Sequence, residues 1–301
     1  MSPGSKVVVT GAFGFTSRHV AERLLAEGQR VTTLTSHPEP SSPLAAEIDV
    51  EPYNFDDPAA LEAILAGTDT LYNSYWVRSP HQGTSFEAAV ANSRTLIEAA
   101  EDAGVRRIVH FSVSNVRDSS LPYFRGKARV ERLVEASDLG HAVLRPTLIF
   151  GLGDRLVNNL AWLLRRSPVF PVFGDGQYRV RPVYVEDVAD LAVELGGESD
   201  DRTVDVAGPD EFTFEAFARL LARHLDARCR IVHGPPALAN LGARVLGAML
   251  DDVLLTRNEI RGLMDGLLTT HGPSTGETRL EGWLDENAHA LGTSYARFLR
   301  R

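Results

Sequence analysis

The sequence predicts an α/β fold: a doubly wound parallel sheet with helices on both faces, followed by a smaller, mostly helical C-terminal lobe. Three observations carry this. Short β-branched or apolar runs alternate with amphipathic stretches along the first half of the chain, the order that produces parallel strands joined by crossover helices. Two glycines three apart follow the first such run directly, in VVVTGAFGFTS at 7–17. From 151 onward, helical stretches mix with short strands and Pro/Gly loops.

Lys6–Thr10, Arg30–Thr35, Thr68–Asn73, Arg107–Ser112 and His141–Leu144 read as strands. A further short strand precedes YNF at 53–55, and Pro146 closes the sixth. Between the first two strands, SRHVAERLLAEGQ puts Val20, Leu24 and Leu25 on one face and its charges on the other, and it stops near Gly28. SFEAAVANSRTLIEAAEDAG gives a helix from about Ser85 to Ala103, ended by Gly104. Pro122 suits a chain entering a helix at Tyr123. In the second lobe, LVNNLAWLLRR and TFEAFARLLARHL read as helices. So does the stretch 245–268, with Thr256 as a cap and Met264, Leu267 and Leu268 on an apolar face. WLDENAHALGTSYARFLRR at 283–301 reads as a final helix with basic residues near its C-terminal end. The expected organisation is a sheet domain over 1–150, rejoined by 177–207, and a lobe made of 151–176 and 208–301.

Composition narrows the function classes. The chain has 301 residues, 44% of them hydrophobic, enough to bury a substantial core. Its formal charge is −9 and no dense Lys/Arg block occurs, which disfavours a grip on the nucleic-acid backbone. A single cysteine, Cys229, excludes an intrachain disulfide framework and a Cys-rich zinc site. The nine histidines are scattered and no metal site is expected. No apolar run approaches the ~18 residues of a membrane span, and no signal-type stretch opens the sequence. A cytoplasmic protein acting on a small molecule, with no nucleic-acid or membrane partner, is the expectation.

Two motifs carry chemistry. In a strand-turn-helix context, Gly11 lets the chain turn tightly, and Gly14 removes the side chain that would keep a pyrophosphate from the helix N-terminus. The unpaired amides and positive dipole end of that helix receive the anion. Phe13, Phe15 and Thr16 line the loop, and Ser17 is small enough for close helix–strand packing. The second motif is YFRGK at 123–127, where Tyr123 and Lys127 lie four apart on one helix face. A tyrosine hydroxyl ordinarily titrates near pH 10, and a nearby ammonium favours its phenolate and lowers that value. Such a pair can move a proton.

VTGAFGFTSRHVAERLL, IVHFSVS, YFRGKARVE, LRPTLIFG and RPVYVEDVA, in that order over about 5–225, resemble the extended and atypical short-chain dehydrogenase/reductases. The epimerase/dehydratase-like and NmrA-like branches are included in that resemblance. It implies a Rossmann-type domain binding NAD or NADP, substrate held by the C-terminal lobe, and Tyr123 and Lys127 as the proton-transfer pair. Ser114 is the better match for the serine that holds the substrate oxygen; Ser112 is the runner-up and otherwise a cofactor contact. Two long helices would form a homodimer.

By the same resemblance, Thr35, Ser36 and His37 stand where NAD-specific members place a carboxylate, so NADP is favoured over NAD. Arg18 or His37 stands in for an arginine absent at Ser36. Asn54 occupies the adenine-contacting position and Phe55 walls the ring. Asn73 and Ser74 pass the ribose, Pro146 and Thr147 meet the carboxamide, and Lys127 also faces the cofactor. Tyr75 and Trp76 either cap the nicotinamide, shape an apolar substrate site, or simply pack the loop. Asn158, Asn159, Arg179 and Arg181 are candidates for contacting a polar or anionic substrate.

The favoured function is an oxidoreductase moving hydride between NAD(P) and a small carbonyl or alcohol. The alternatives are a nucleotide-sugar epimerase or dehydratase, and a non-catalytic NADP-binding regulator or assembly protein. Only NVRDSSLP separates Ser114 from Tyr123, shorter than the loop of extended sugar epimerases.

Overall fold

Runs of β-branched residues become the strands, and the loops between them are short. In a computed structural model, which describes residues 2–39, 41–78, 84–235 and 257–297, the first elements are β1 (Lys6–Thr10), α1 (Phe15–Ala26), β2 (Arg30–Leu34), β3 (Asp49–Glu51), α2 (Pro58–Leu65) and β4 (Thr68–Asn73). Then come α3 (Phe86–Asp102), β5 (Arg107–Phe111), α4 (Pro122–Glu135), β6 (Gly140–Pro146), β7 (Leu148–Phe150), α5 (Leu156–Arg166) and β8 (Val169–Phe173). The remainder is β9 (Arg179–Val180), β10 (Pro182–Tyr184), α6 (Val185–Gly197), β11 (Arg202–Val206), β12 (Phe212–Thr213), α7 (Phe214–His224), β13 (Arg230–Gly234), α8 (Arg257–Met264) and α9 (Leu280–Asn287).

Two units result, Met1–Pro146 with Val185–Val206, and Thr147–Tyr184 with Ala207–Arg301. The first holds a seven-stranded sheet in the order β11-β6-β5-β4-β1-β2-β3, parallel throughout. This is the Rossmann-type arrangement, and its order reverses between β1 and β4, the position at which open sheets of this kind generally bind ligands. Val7, Val8, Ile108 and Val109 are buried completely, as strands covered on both faces require. On one face Leu61 and Leu65 of α2, Leu96 and Ala100 of α3, and Val134 of α4 pack on Val8, Leu71, Ile108 and Val143. On the other lie α1 and α6, joined by His19–Glu186 and Arg23–Asp190.

Capping sets the helix ends. Asp57 accepts from the Ala60 amide at 3.1 Å to start α2, and Ser85 from Ala88 at 3.0 Å to start α3. Gly104, at φ +69°, ends α3, with the Val105 amide returning to the Ala100 carbonyl.

The first unit ends at Pro146 because Leu148–Phe150 pairs instead with Pro182–Tyr184. The segment that rejoins it, Val185–Val206, is shorter than the expected 177–207. In the second unit β7–β10, β8–β13 and β9–β12 form strand pairs around a core that includes Phe150, Val172, Phe217, Leu221 and Leu284. The final helix expected over 283–301 is corrected: α9 stops at Asn287. Gly292, at φ +68°, lies so close to α5 that a Cβ there would stand 2.5 Å from the Ala161 carbonyl carbon and the Trp162 nitrogen. The chain therefore turns along α5 rather than continuing as a helix. Leu267 is buried and Leu268 packs on the same core, whereas Thr256 lies outside the described residues. Among the described residues, no helix is long and apolar enough to cross a membrane and no His/Cys/Asp/Glu group could hold a metal ion.

Candidate active site

The glycine loop joins β1 to α1 through a turn that its sequence dictates. Gly11 adopts φ +62°, a conformation that strains residues with a Cβ. Its amide donates to the Leu34 carbonyl at 2.8 Å, and the Gly14 amide donates to the Gly11 carbonyl at 2.8 Å. A Cβ on Gly14 would lie 3.1 Å from that carbonyl oxygen, so the cradle is shaped for glycine. Gly14 is also the N-cap of α1; it offers no side-chain cap, and the first turn carries no acidic residue. The helix therefore presents its N-terminal amides and dipole without a competing anion. Behind the loop, the Thr10 hydroxyl accepts from the Ser74 amide at 2.7 Å, and the Ser17 and Ser74 hydroxyls are 2.6 Å apart. This ties the ends of β1 and β4 together.

Phe13, Phe15 and Thr16 are half-buried around the loop. At the end of β2, Thr35 braces the turn by accepting from the His37 amide at 3.0 Å, leaving Ser36 and His37 exposed. No carboxylate follows β2 before Glu39. Asn54 adopts φ +48°, and Phe55 stacks on Tyr53 at 4.9 Å and touches Tyr75 at 4.9 Å.

Tyr123 and Lys127 sit at the start of α4. Lys127 is buried and donates to the Phe111 carbonyl at 2.6 Å. Burial pulls its ammonium down to about 7, against the opposing pull of Glu131. Ser114 is fully buried, its amide donating to the Pro146 carbonyl at 3.0 Å. Ser112 is committed elsewhere: its hydroxyl donates to the buried Glu131 at 2.8 Å. Arg145 and Arg117 also bind Glu131. Burial alone would raise that carboxyl, but hydrogen bonds from Arg145 and Ser112 outweigh it and hold Glu131 below the ordinary carboxylate range.

A family profile described as NAD(P)H-binding matches residues 11–155, which begins at Gly11 and takes in the loop, α1 and the Tyr123–Lys127 pair. The chain carries an NAD(P)-binding domain. Its fold neighbours among solved structures include sugar-nucleotide epimerases and a dTDP-glucose 4,6-dehydratase. An NADPH-dependent quinone oxidoreductase from Escherichia coli, solved with NADPH, superposes with a TM-score of 0.74 at 21% identity, covering 92% of this chain and 98% of that one. A ceramide reductase from Caulobacter vibrioides is 29% identical over 79% of this chain and 77% of its own length. The mitochondrial NADH dehydrogenase (ubiquinone) 1 alpha subcomplex subunit 9 of Arabidopsis thaliana is 28% identical over 83% of this chain. The alignment spans 65% of that plant subunit's length.

Within the NAD(P)-binding domain, Asn73 is fully buried and its side chain is used internally. Its Oδ1 accepts from the Tyr75 amide at 3.0 Å, which turns its Nδ2 toward His110 Nδ1 at 3.3 Å. Burial, then the Lys127 charge, pushes His110 down to about 3, so the ring is neutral. Pro146 is the last residue of β6, while Thr147 begins the second unit, its hydroxyl donating to the Arg181 carbonyl at 2.5 Å.

The expected substrate contacts in the second unit have structural partners. The Arg181 guanidinium donates to the carbonyls of Gly208, Thr270 and Gly272. Asn159, 2% exposed, exchanges hydrogen bonds with the Ala296 backbone. Asn158 holds Gly292 and Ser294, and Arg179 pairs with Glu211. Sequence reasoning missed Glu131, His110 and Tyr53. Glu131 had a readable signal, four residues beyond Lys127 on the same helix face.

Proposed function

We propose that the chain is an NAD(P)-dependent oxidoreductase that interconverts a small-molecule carbonyl and its alcohol, with NADP preferred. The observation that carries this is the Tyr123–Lys127 pair, on one face of α4 with its ammonium buried on the Phe111 carbonyl, in the same unit as the glycine loop. The fit to a dinucleotide rests on the Gly11–Gly14 cradle, which a Cβ would crowd, and on the uncapped start of α1. Gly11, Gly14 and the first α1 amides would hold the pyrophosphate. Ser36 and His37 would face the ribose phosphate that distinguishes NADP, with no carboxylate to repel it.

When bound, the nicotinamide supplies or accepts the hydride. Tyr123 Oη gives its proton to the substrate oxygen in reduction and withdraws it in oxidation. The Lys127 ammonium favours the phenolate left behind. Ser114 holds the substrate oxygen; the Ser112 hydroxyl, bound to Glu131, instead anchors α4 to β5.

Two observations weigh on the alternatives. A sugar-nucleotide substrate needs polar side chains for its hydroxyls and diphosphate, and Arg181 and Asn159 are spent on backbone groups. The relationship to a subunit of NADH dehydrogenase supports a second reading, a nucleotide-binding subunit without turnover. NADPH oxidation across a panel of carbonyls, in the wild type and in Tyr123→Phe, separates the two. The oxidoreductase reading expects turnover that the variant loses; the subunit reading expects none in either.

A further inference from the structure

Gly126 is a costly residue in the body of α4, where glycine gives up more backbone freedom on folding than any other residue. The reason is local. A Cβ there would stand 2.6 Å from Trp76 Cη2 and 2.8 Å from Cζ2, so the helix surface is hollowed to seat the indole. Gly126 lies three residues beyond Tyr123 on α4, so the two are neighbours on the helix surface, and Lys127 flanks Tyr123 on its other side. The seat therefore places Trp76 beside the proton-transfer pair. The indole stacks on Phe86 with centroids 5.9 Å apart and planes 7° from parallel, and Tyr123 stands edge-on to it at 6.1 Å. Phe86 is only 8% exposed and backs the group, whereas Trp76 and Tyr123 are half-buried and keep ring surface open.

The indole also carries an unmet donor. Its Nε1–H is buried and, among the described residues, has no hydrogen-bond partner, an unfavourable condition that a ligand oxygen or a water would relieve. Lys127 lies 5.4 Å from the indole centroid, but its ammonium is directed to the Phe111 carbonyl.

We propose that Trp76 is a substrate-binding residue and that the substrate is a flat, apolar carbonyl compound, aromatic or conjugated, lying against the indole beside Tyr123. This rests on the oxidoreductase reading above and adds the substrate class. Ring surface supplies the affinity, Tyr123 meets the reacting oxygen, and Trp76 Nε1 donates to an oxygen of the bound molecule. Gly126 serves as the positioning residue that lets the indole reach this place.

The test uses the full chain, NADPH, and two aldehydes of matched size, 2-naphthaldehyde and its fully saturated decahydro counterpart. An aromatic contact of ~0.5–1.5 kcal/mol predicts a preference for the flat aldehyde of up to about tenfold in kcat/KM. Trp76→Ala erases the preference. Trp76→Phe keeps the ring and removes the N–H, so it retains most of the preference while KM rises about fivefold, the worth of one hydrogen bond. NADPH affinity, measured on the same samples, stays within about twofold of wild type in both variants, since neither removes a group of the glycine loop. Equal kcat/KM for the two aldehydes, or a preference that survives Trp76→Ala, overturns the proposal. NADPH binding without turnover of either aldehyde overturns the substrate class and leaves the nucleotide reading standing. Absence of NADPH binding overturns the oxidoreductase reading itself.

Discussion

Lys127 Nζ donates a 2.6 Å hydrogen bond to the carbonyl oxygen of Phe111, so the ammonium on α4 is anchored to the last residue of β5. The bond fixes the charge one turn beyond Tyr123, where it can favour the phenolate. It also places a cation in the interior, with consequences for both chemistry and stability.

The chemical consequence is specific to the tyrosine hydroxyl. Tyr123→Phe removes the proposed proton donor and keeps the ring that packs on Trp76 and Phe86. Turnover should fall by about 10²–10⁴-fold, the usual worth of a positioned acid or base. Nucleotide affinity should be unchanged in a parallel titration.

The stability consequence has a defined sign. Burial lowers Lys127 from 10.5 to about 7, so between these values the unfolded chain binds more protons than the folded one. Stability attributable to this group therefore rises as pH increases from about 7 toward 10.5, and it is lost as pH falls through 7. Lys127→Met removes the buried charge, so its gain in thermal midpoint over wild type should be largest below pH 7 and shrink as pH rises. Melting curves of the nucleotide-free protein across that range check this, and a gain independent of pH contradicts it.

Gly14→Val tests the cradle. The new side chain grows from a Cβ already 3.1 Å from the Gly11 carbonyl, into the space needed for close approach of a pyrophosphate. Affinity for NADPH should fall by about tenfold or more, equivalent to ~1.4 kcal/mol. Isothermal titration reads it.

Ser36→Asp tests cofactor choice. A carboxylate at this exposed turn repels the extra phosphate of NADP and accepts hydrogen bonds from the ribose hydroxyls of NAD. Competition between NADPH and NADH should shift toward NADH by about tenfold. An unchanged ratio would place the discriminating contact elsewhere.

Glu131→Ala tests the anchor beneath α4. It removes the anion shared by Arg145, Arg117 and the Ser112 hydroxyl. Breaking a buried pair from one side costs about 3–5 kcal/mol, enough to lower the thermal midpoint by roughly 10 °C.

Much of the first unit was legible because its signals are local. Val7–Val9 and Ile108–Val109 announce buried strands, Ser85 and Gly104 bracket α3, and Gly11 and Gly14 mark the turn. The spacing of Tyr123 and Lys127 placed them on one face without knowledge of their surroundings. The structural partners of Arg181 and Asn159 were not legible for the opposite reason: Gly208, Thr270, Gly272 and Ala296 are distant in sequence and supply backbone groups that any residue could offer. The aromatic cluster of Tyr53, Phe55 and Tyr75 likewise depends on strand order, which brings the end of β3 and the end of β4 to either side of β1. Trp76 remained ambiguous in the sequence because its seat on Gly126 joins the segment after β4 to a helix fifty residues further on.

The most direct measurement is a fluorescence titration of the purified 301-residue chain, freed of bound nucleotide, with NADPH and NADH in parallel. Saturable binding of both, tighter for NADPH and weakened by Gly14→Val, is the predicted result. A folded protein that binds neither nucleotide would contradict the account at its centre.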